Sequence, residues 1–312
     1  MPTTGIVYSS VYLEHKTGEH PECPGRLLAI QNRLVQSGVW GKLRIFSPRA
    51  ADIEDLRMVH AEEHIFRVQR SCHEGRTSLD PDTAVCPESF DVARTAVGGV
   101  FVGIDQVMLR EVKNAFCMVR PPGHHATADE AMGFCLFNNV ALGARYAQRH
   151  HGCRTVLIVD FDAHHGNGTQ SIFYEDDSVF YFSIHRSPFY PGTGRESERG
   201  KGRGEGFTLN CPVSVSLDRK VIVSLFVKTL DEIAGVFVPD LVLVSAGFDG
   251  HVGDPIGGLH LQTSDFRDMT AAIVELARTT SSGRIVSVLE GGYDLNSLGE
   301  CAEEHVGVLM EG

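Results

Sequence analysis

The stretch TVLIVDFDAHHGNGT (155–169) joins an unbroken apolar run to a dense cluster of polar side chains. The run 155–159 is mostly β-branched and aliphatic and does not alternate with polar residues, which is typical of a strand buried on both faces. Such strands occur in parallel sheets that helices cover on each side. The polar cluster begins where the apolar run ends, with Asp160, Asp162 and His164. The stretch therefore predicts a parallel sheet with reactive groups at the carboxyl end of a strand.

Five further short apolar runs have the same character and predict strands at 6–8, 115–119, 179–182, 241–244 and 285–289. Segments between the runs repeat apolar residues every three or four positions, which predicts helices at 90–109, 139–148, 222–237 and 271–277. Strands that alternate with helices predict an α/β fold, a three-layer α/β/α arrangement with a central, mainly parallel sheet. No linker divides the chain, so we expect a single domain over residues 1–312. The Gly- and Pro-rich stretch 186–206 predicts a long loop.

Polar residues also follow four of the other predicted strands, in RPPGHH (120–125), SIH (183–185), SAGFD (245–249) and EGGY (290–293). The carboxyl ends of parallel strands lie at the same edge of a sheet, where ligand crevices form. We therefore expect these clusters to form one site.

A metal site is the first chemistry that these clusters allow. If the segment stays extended, Asp162 and His164 point to the same side, because alternate residues of a strand share a face. Asp249, at the end of another strand, could supply a third ligand. One imidazole and two carboxylates suit a divalent cation such as zinc and leave a coordination position open for water or substrate. Asp160 lies on the same face and could accept a hydrogen bond from an imidazole.

Acid–base catalysis is the second chemistry that these clusters allow. His124 and His125 follow PPG (121–123), in which the prolines fix an extended backbone and the glycine permits a sharp bend. A hydrolase needs a base for the attacking water and an acid for the leaving amine, and histidine serves both near neutral pH. A pair of hydrogen-bonded core histidines is the alternative.

Several single residues could complete such a site. Tyr293 follows two glycines that let the backbone come close, so its hydroxyl could donate to the oxyanion of a tetrahedral intermediate. Phe134 and Tyr190 are candidate walls of an apolar slot, with core packing as the alternative. For His165 we expect a structural role beneath a loop.

Composition limits the partners and the compartment. The chain has a formal net charge of −12, which argues against a nucleic-acid-binding surface. No apolar stretch is long enough to span a bilayer. The eight scattered cysteines include no C-x-x-C pair, so they support neither a disulfide framework nor a four-cysteine zinc site. We expect a cytoplasmic protein that binds neither nucleic acid nor membrane directly and that could form oligomers.

Taken together, the motifs resemble the zinc-dependent histone deacetylase family, in the arginase/deacetylase superfamily. Asn167 and Glu290 are similar to its class II branch, which includes bacterial deacetylases and acetylpolyamine amidohydrolases. The resemblance covers about the whole chain and implies one catalytic domain with the arginase/deacetylase fold. The matching segments are RPPGHHA (120–126), GFCLFNN (133–139), DFDAHHGNGT (160–169), SIH (183–185), YPGTG (190–194), SAGFDGHVGDPIGG (245–258) and LEGGY (289–293).

The resemblance implies one zinc ion per chain, bound by Asp162, His164 and Asp249. Fold relatives with arginase activity use two manganese ions bridged by carboxylates. Here Gly166 and His251 stand where the second metal would need aspartates. The resemblance therefore implies a mononuclear amidohydrolase.

Catalytic roles follow from the same motif positions. His124 and His125 are implied to be the acid/base pair, with His125 as the general base. Asp160 would pair with His124, and Asn167 would face His125. Tyr293 would be the oxyanion donor.

The resemblance also implies an acyl-lysine tunnel, lined by Gly133, Phe134 and Tyr190, with Ile256 at its mouth. It implies structural potassium as well, at two sets of residues: Asp160, Asp162, His164, Ser183 and Ile184, and a second set of Phe173, Asp176, Val179 and Phe207.

The implied activity is hydrolysis of the acetamide of an N-acetylated amine, with acetyl-lysine in peptides or proteins as the expected substrate. An acetylpolyamine amidohydrolase is the alternative, and a catalytically silent binding scaffold is a third possibility. A polyamine-selective member of the branch has a glutamate where this chain has Ile256. The uncharged side chain favours acetyl-lysine.

Overall fold

The central sheet is parallel throughout in the computed structural model, which describes residues 4–312. Among these residues the strands are β1 (Thr4–Val7), β2 (Arg44–Phe46), β3 (Asn114–Cys117), β4 (Val156–Asp160), β5 (Val179–Arg186), β6 (Thr208–Val213), β7 (Leu241–Ala246) and β8 (Ile285–Leu289). They form one sheet in the order β2-β1-β3-β8-β7-β4-β5-β6, and every neighbouring pair is parallel. The predicted parallel sheet is confirmed.

Helices cover this sheet. Those described are α1 (Gly25–Gln36), α2 (Ile53–Leu56), α3 (Glu62–His73), α4 (Ser89–Met108), α5 (Asn139–His151), α6 (Asn167–Phe173), α7 (Arg219–Val236), α8 (Thr263–Thr280) and α9 (Leu295–Glu311). Helices α7, α8, α9 and α1 pack side by side in that order, and α4 packs against α5. The architecture is the predicted three-layer α/β/α fold. Within residues 4–312, no helix has both the length and the apolar character needed to cross a membrane.

The elements that the sequence patterns do not predict include both edge strands and several helices, among them α1, α3 and α9. Strand β2 has only three residues, and its Ile45 is exposed. Strand β6, at the other edge, contains Asn210 and Pro212, which interrupt the apolar run. Helix α9 buries Gly299 and Cys301, whose side chains contribute little to an amphipathic pattern. The predicted loop 186–206 also begins too early, because β5 continues to residue 186.

The centre of the sheet positions the site. Strands β4, β7 and β8 are neighbours, and their registers align Asp160 with Ser245 and Ser245 with Val288. These strands therefore end at nearly the same level, and the polar residues that follow them meet at one edge.

Candidate active site

Asp162, His164 and Asp249 form a compact, buried cluster at this edge. Their potential ligand atoms all lie within 4.8 Å of one another. Nδ1 of His164 is 3.1 Å from Oδ1 of Asp162 and 2.7 Å from Oδ2 of Asp249. The structure thus brings together the three residues that the sequence analysis selects as metal ligands.

Backbone amides orient both carboxylates of the cluster. Oδ2 of Asp162 accepts a hydrogen bond from the amide of Gly291 (2.8 Å), and Oδ1 of Asp249 accepts from the amide of Ala163 (2.9 Å). The other oxygen of each carboxylate is directed toward His164. A Cβ atom on Gly291 would lie 2.5 Å from Oδ2 of Asp162, so only glycine fits at this close approach.

The cluster fits a divalent cation. Oδ2 of Asp249 is buried, and no donor in residues 4–312 makes an aligned hydrogen bond to it, although Nδ1 of His164 is close. Burial, followed by the Asp162 charge, raises the pKa of Asp249 to about 7. Burial lowers the pKa of His164, but Asp249 and Asp162 outweigh it and raise the pKa to about 10. The pocket therefore favours positive charge, and two carboxylates with one imidazole are ligands that suit zinc.

The tandem histidines lie next to the cluster, with ring centroids 4.1 Å apart. Nδ1 of His124 donates to Oδ2 of Asp160 (3.0 Å), which also accepts from the hydroxyl of Tyr181 (3.0 Å). Nδ1 of His125 donates to Oδ1 of Asn167 (2.8 Å). One histidine is therefore oriented by a carboxylate and the other by a neutral amide.

These partners give the two imidazoles opposite pKa shifts. Burial lowers the pKa of His124, but the charges of Asp160 and Asp162 outweigh burial and raise it to about 10. Burial, reinforced by the neighbouring His124 and His164, lowers the pKa of His125 well below its ordinary value. The pair therefore combines one imidazole that holds a proton with one that stays neutral.

Glu290 fixes the turn that carries these histidines. Its Oε2 accepts hydrogen bonds from the amides of Gly123 (2.7 Å) and His124 (3.2 Å). Its Oε1 accepts from the hydroxyl of Ser245 (3.1 Å). From the sequence, Glu290 indicates only the branch of the family, because its buried position cannot be deduced from its place in the motif.

A cavity of about 210 Å³ reaches His164 of the cluster and His125 of the tandem pair. It contains all the predicted wall residues together with two residues that the sequence analysis misses, Asp82 and Phe189. Phe189 stacks on the imidazole of His164, with ring centroids 4.9 Å apart. Asp82 lies in a segment without a recognisable motif, so no sequence signal selects it. The full lining is Asp82, His125, Gly133, Phe134, His164, Phe189, Tyr190, Ile256 and Tyr293.

Tyr293 enters the cavity wall beside a buried arginine. The guanidinium of Arg26 lies 5.0 Å from the ring centroid of Tyr293, and Phe134 meets the same ring edge-on. Burial raises the pKa of Tyr293 far above its ordinary value, so the hydroxyl keeps its proton and remains a donor. Arg26 belongs to α1, a helix that is not among those predicted from the sequence, and charged side chains are ordinarily assigned to the surface.

His165 has two side-chain partners outside the cluster. Its Nδ1 lies 2.7 Å from the hydroxyl of Thr193, and its Nε2 lies 3.0 Å from Oε1 of Gln170. Both ring nitrogens are occupied, in agreement with the structural role expected for this residue.

Some of the residues predicted to bind potassium lie within β4 and β5, and the others lie in segments that flank these strands. Asp160 and Ser183 are paired in register across β4 and β5. In the second set, the carbonyl of Phe173 accepts from the amide of Asp176, and the carbonyl of Phe207 accepts from a β5 amide. Potassium binding stays a prediction.

This combination of sheet, acidic cluster, histidine pair and tyrosine is that of a metal-assisted hydrolase. A family profile described as the histone deacetylase domain matches residues 20–309. The chain belongs to the histone deacetylase family.

Individual relatives agree with this assignment. Histone deacetylase 14, chloroplastic, from Arabidopsis thaliana is 36% identical, over 98% of this chain and 76% of its own. Histone deacetylase 7 from Homo sapiens is 38% identical, over 99% of this chain and only 36% of its own, so the chain spans about a third of that protein. The crystal structure of the HDA15 HD domain superposes with a TM-score of 0.91 at 38% identity, covering 99% of this chain and 88% of that one.

Family membership supports a hydrolase that acts as a deacetylase on acetylated substrates. The family is generally metal-dependent, and the buried Asp162-His164-Asp249 cluster could bind a metal.

Proposed function

We propose that this chain is a zinc-dependent deacetylase that hydrolyses the acetamide of acetyl-lysine in peptides or proteins, with residues 1–312 as one catalytic domain. The observation that carries the proposal is the convergence of the metal cluster, His125 and Tyr293 on one cavity. The potassium sites and a cytoplasmic location belong to the same proposal, and the free state of all the cysteines agrees with the latter.

Zinc held by Asp162, His164 and Asp249 would polarise the acetyl carbonyl and acidify the attacking water. His125 would accept the proton of that water, because its Nδ1 is engaged by an acceptor and its Nε2 is left to act as a base. His124 would keep its proton and stabilise negative charge, or pass a proton to the leaving amine.

Tyr293 would donate its hydroxyl proton in a hydrogen bond to the oxygen that gains negative charge. Tyr293 lines the same cavity as His125, and its raised pKa keeps the hydroxyl a donor. Phe134 and Tyr190 would enclose the aliphatic part of the acyl-lysine and exclude water.

The substrate choice depends on the charges at the cavity. Ile256 lines it and offers no charge to the distal ammonium of an acetylated polyamine, which favours acetyl-lysine. Asp82 lines the same cavity and is a carboxylate that could attract such an ammonium, which is the observation in favour of an acetylpolyamine amidohydrolase. The complete set of candidate catalytic residues argues against a silent scaffold.

A fluorogenic acetyl-lysine peptide tests the proposal. We expect hydrolysis that a metal chelator abolishes and that added zinc restores. Acetylspermidine and acetylputrescine, measured side by side, should give lower kcat/KM values. Absence of hydrolysis of every acetylated amine by zinc-loaded protein would favour the scaffold.

A further inference from the structure

The carboxylate of Asp254 joins two separate segments at the active-site edge. Its Oδ1 accepts hydrogen bonds from the amides of Ile256 (2.9 Å) and Gly257 (3.1 Å). Its Oδ2 accepts from the amides of Tyr293 (2.7 Å) and Asp294 (3.3 Å). One buried side chain therefore holds four backbone N–H groups, two from each segment.

Each segment contributes a different part of the site. The first follows β7 and brings Ile256 to the cavity wall. The second follows β8 and brings Tyr293 to the same wall. In residues 4–312, no main-chain carbonyl accepts from the amide of Ile256 or Tyr293, so Asp254 is the acceptor that fixes both.

The neighbouring peptide groups of the second segment have other partners. The amide of Gly291 donates to Asp162, and its carbonyl accepts from the amide of Phe248. The carbonyl of Gly292 accepts from Nε of Arg26 (2.6 Å). These contacts hold the segment up to Gly292, and the contact from Asp254 then sets the direction in which the Tyr293 side chain leaves the backbone.

We propose that Asp254 is a positioning residue that sets the hydroxyl of Tyr293 for oxyanion stabilisation and couples it to the cavity wall at Ile256. This inference rests on the proposed deacetylase function. It requires a carboxylate, because an amide has only one acceptor oxygen and can serve only one of the two segments.

The matched variants are Asp254→Asn and Asp294→Asn. Asp254→Asn removes an acceptor with little change in volume. Asp294→Asn removes a carboxylate one residue from Tyr293 but keeps a good helix cap, since Asp294 accepts from the amide of Ser297 (2.8 Å) at the start of α9.

A double-mutant cycle with Tyr293→Phe provides the kinetic test. Displacement of a catalytic group by about 1 Å costs up to about 10²-fold, so Asp254→Asn should lower kcat by about 10- to 100-fold with little change in KM. In the Tyr293→Phe background the same change should cost less than about threefold, because the hydroxyl it positions is gone. Asp294→Asn should stay near wild type. Equal losses in both backgrounds would overturn the proposal.

The Asp254 clamp, which is the set of hydrogen bonds from the amides of Ile256, Gly257, Tyr293 and Asp294 to the Asp254 carboxylate, can also be tested without an activity assay, by hydrogen exchange. In the wild-type protein the amides of Ile256, Gly257 and Tyr293 should be protected, and Asp254→Asn should increase their exchange while leaving the amides of β4 unchanged. Fast exchange at these amides in the wild-type protein would contradict the clamp, even if the variant did not fold. Wild-type protein without deacetylase activity but with these protected amides would count against the proposed function and not against the clamp.

Discussion

The imidazole of His125 donates from Nδ1 to the side-chain oxygen of Asn167, 2.8 Å away. The amide nitrogen of Asn167 points to Sδ of Met132 (3.3 Å), which fixes the amide so that its oxygen faces the histidine. A histidine that donates from Nδ1 has a free lone pair at Nε2, which is the form a general base requires.

Asn167→Ala should lower kcat by about 10- to 100-fold, a part of the 10²- to 10⁴-fold that general base catalysis contributes. The reason is that His125 loses the acceptor that fixes its tautomer. Asn167→Asp retains an acceptor oxygen and should keep most of the activity. If steady-state kinetics gave the alanine variant a wild-type kcat, the contact would have no catalytic role.

Asp249→Ala should greatly weaken zinc binding and abolish turnover, because it removes one of three ligands and leaves His164 with a single carboxylate neighbour. Elemental analysis after dialysis measures the metal content directly. Asp268→Ala, an exposed position on α8, is the control and should keep full metal content. Full metal content in Asp249→Ala would refute the ligand assignment.

Tyr293→Phe should cost roughly 10²- to 10³-fold in kcat, as for other oxyanion donors. KM should change little, because this hydrogen bond strengthens in the transition state. The ring keeps its contacts with Arg26 and Phe134, so the wall of the cavity stays intact. A variant with normal kcat and a much higher KM would show that Tyr293 only lines the cavity.

Ile256→Glu should shift the ratio of kcat/KM values toward acetylated polyamines by a modest factor, because a partly exposed ion pair contributes about 1 kcal/mol at most. Asp82→Asn should shift the same ratio toward acetyl-lysine. Both ratios come from competition between an acetyl-lysine peptide and acetylspermidine. A wild-type preference for the polyamine would show that the shape of the cavity or Asp82 outweighs the missing charge at Ile256.

Acid should destabilise the fold through its buried histidines. Burial lowers the pKa of His305 to about 3, so between about pH 6.5 and 3 the unfolded chain binds a proton that the native chain does not. The free energy of unfolding should therefore decrease as the pH is lowered through this window, by about 1.4 kcal/mol per pH unit for one such group. Burial gives similar depressions to His15, His60, His64 and His185.

Urea unfolding between pH 6.5 and 5 measures this slope. His305→Gln should reduce this slope by the amount that corresponds to about one proton taken up on unfolding, since glutamine does not titrate. The side chain lies between Thr270 and Ser287, whose hydroxyls are each 2.8 Å from a ring nitrogen. An unchanged slope in the variant would mean that His305 is protonated in the native protein.

The centre of the fold could be predicted because its signals are local. The runs around Leu157 and Val242 are apolar without interruption, as strands buried on both faces must be. The edge strand β6 could not be predicted, because Asn210 and Pro212 are typical of loops and only the pairing with β5 makes them part of a strand.

The site was predictable where residues directly follow a strand, as Asp162 and Asp249 do. The site could not be predicted where a residue reaches it only through tertiary packing. Arg26 is fully buried because Glu22 (3.1 Å) and two main-chain carbonyls accept its hydrogen bonds, whereas charged residues are ordinarily assigned to the surface. Asp82 reaches the cavity from an irregular segment, and no periodicity indicates where such a segment folds.

The most direct test of the central claim is the rate of acetyl-lysine peptide hydrolysis by chelator-treated protein as zinc is added back. We expect that activity is absent without metal and rises linearly to a plateau at one equivalent of zinc per chain. Hydrolysis that persists without metal, or a plateau only at two equivalents, would contradict a single catalytic zinc held by Asp162, His164 and Asp249.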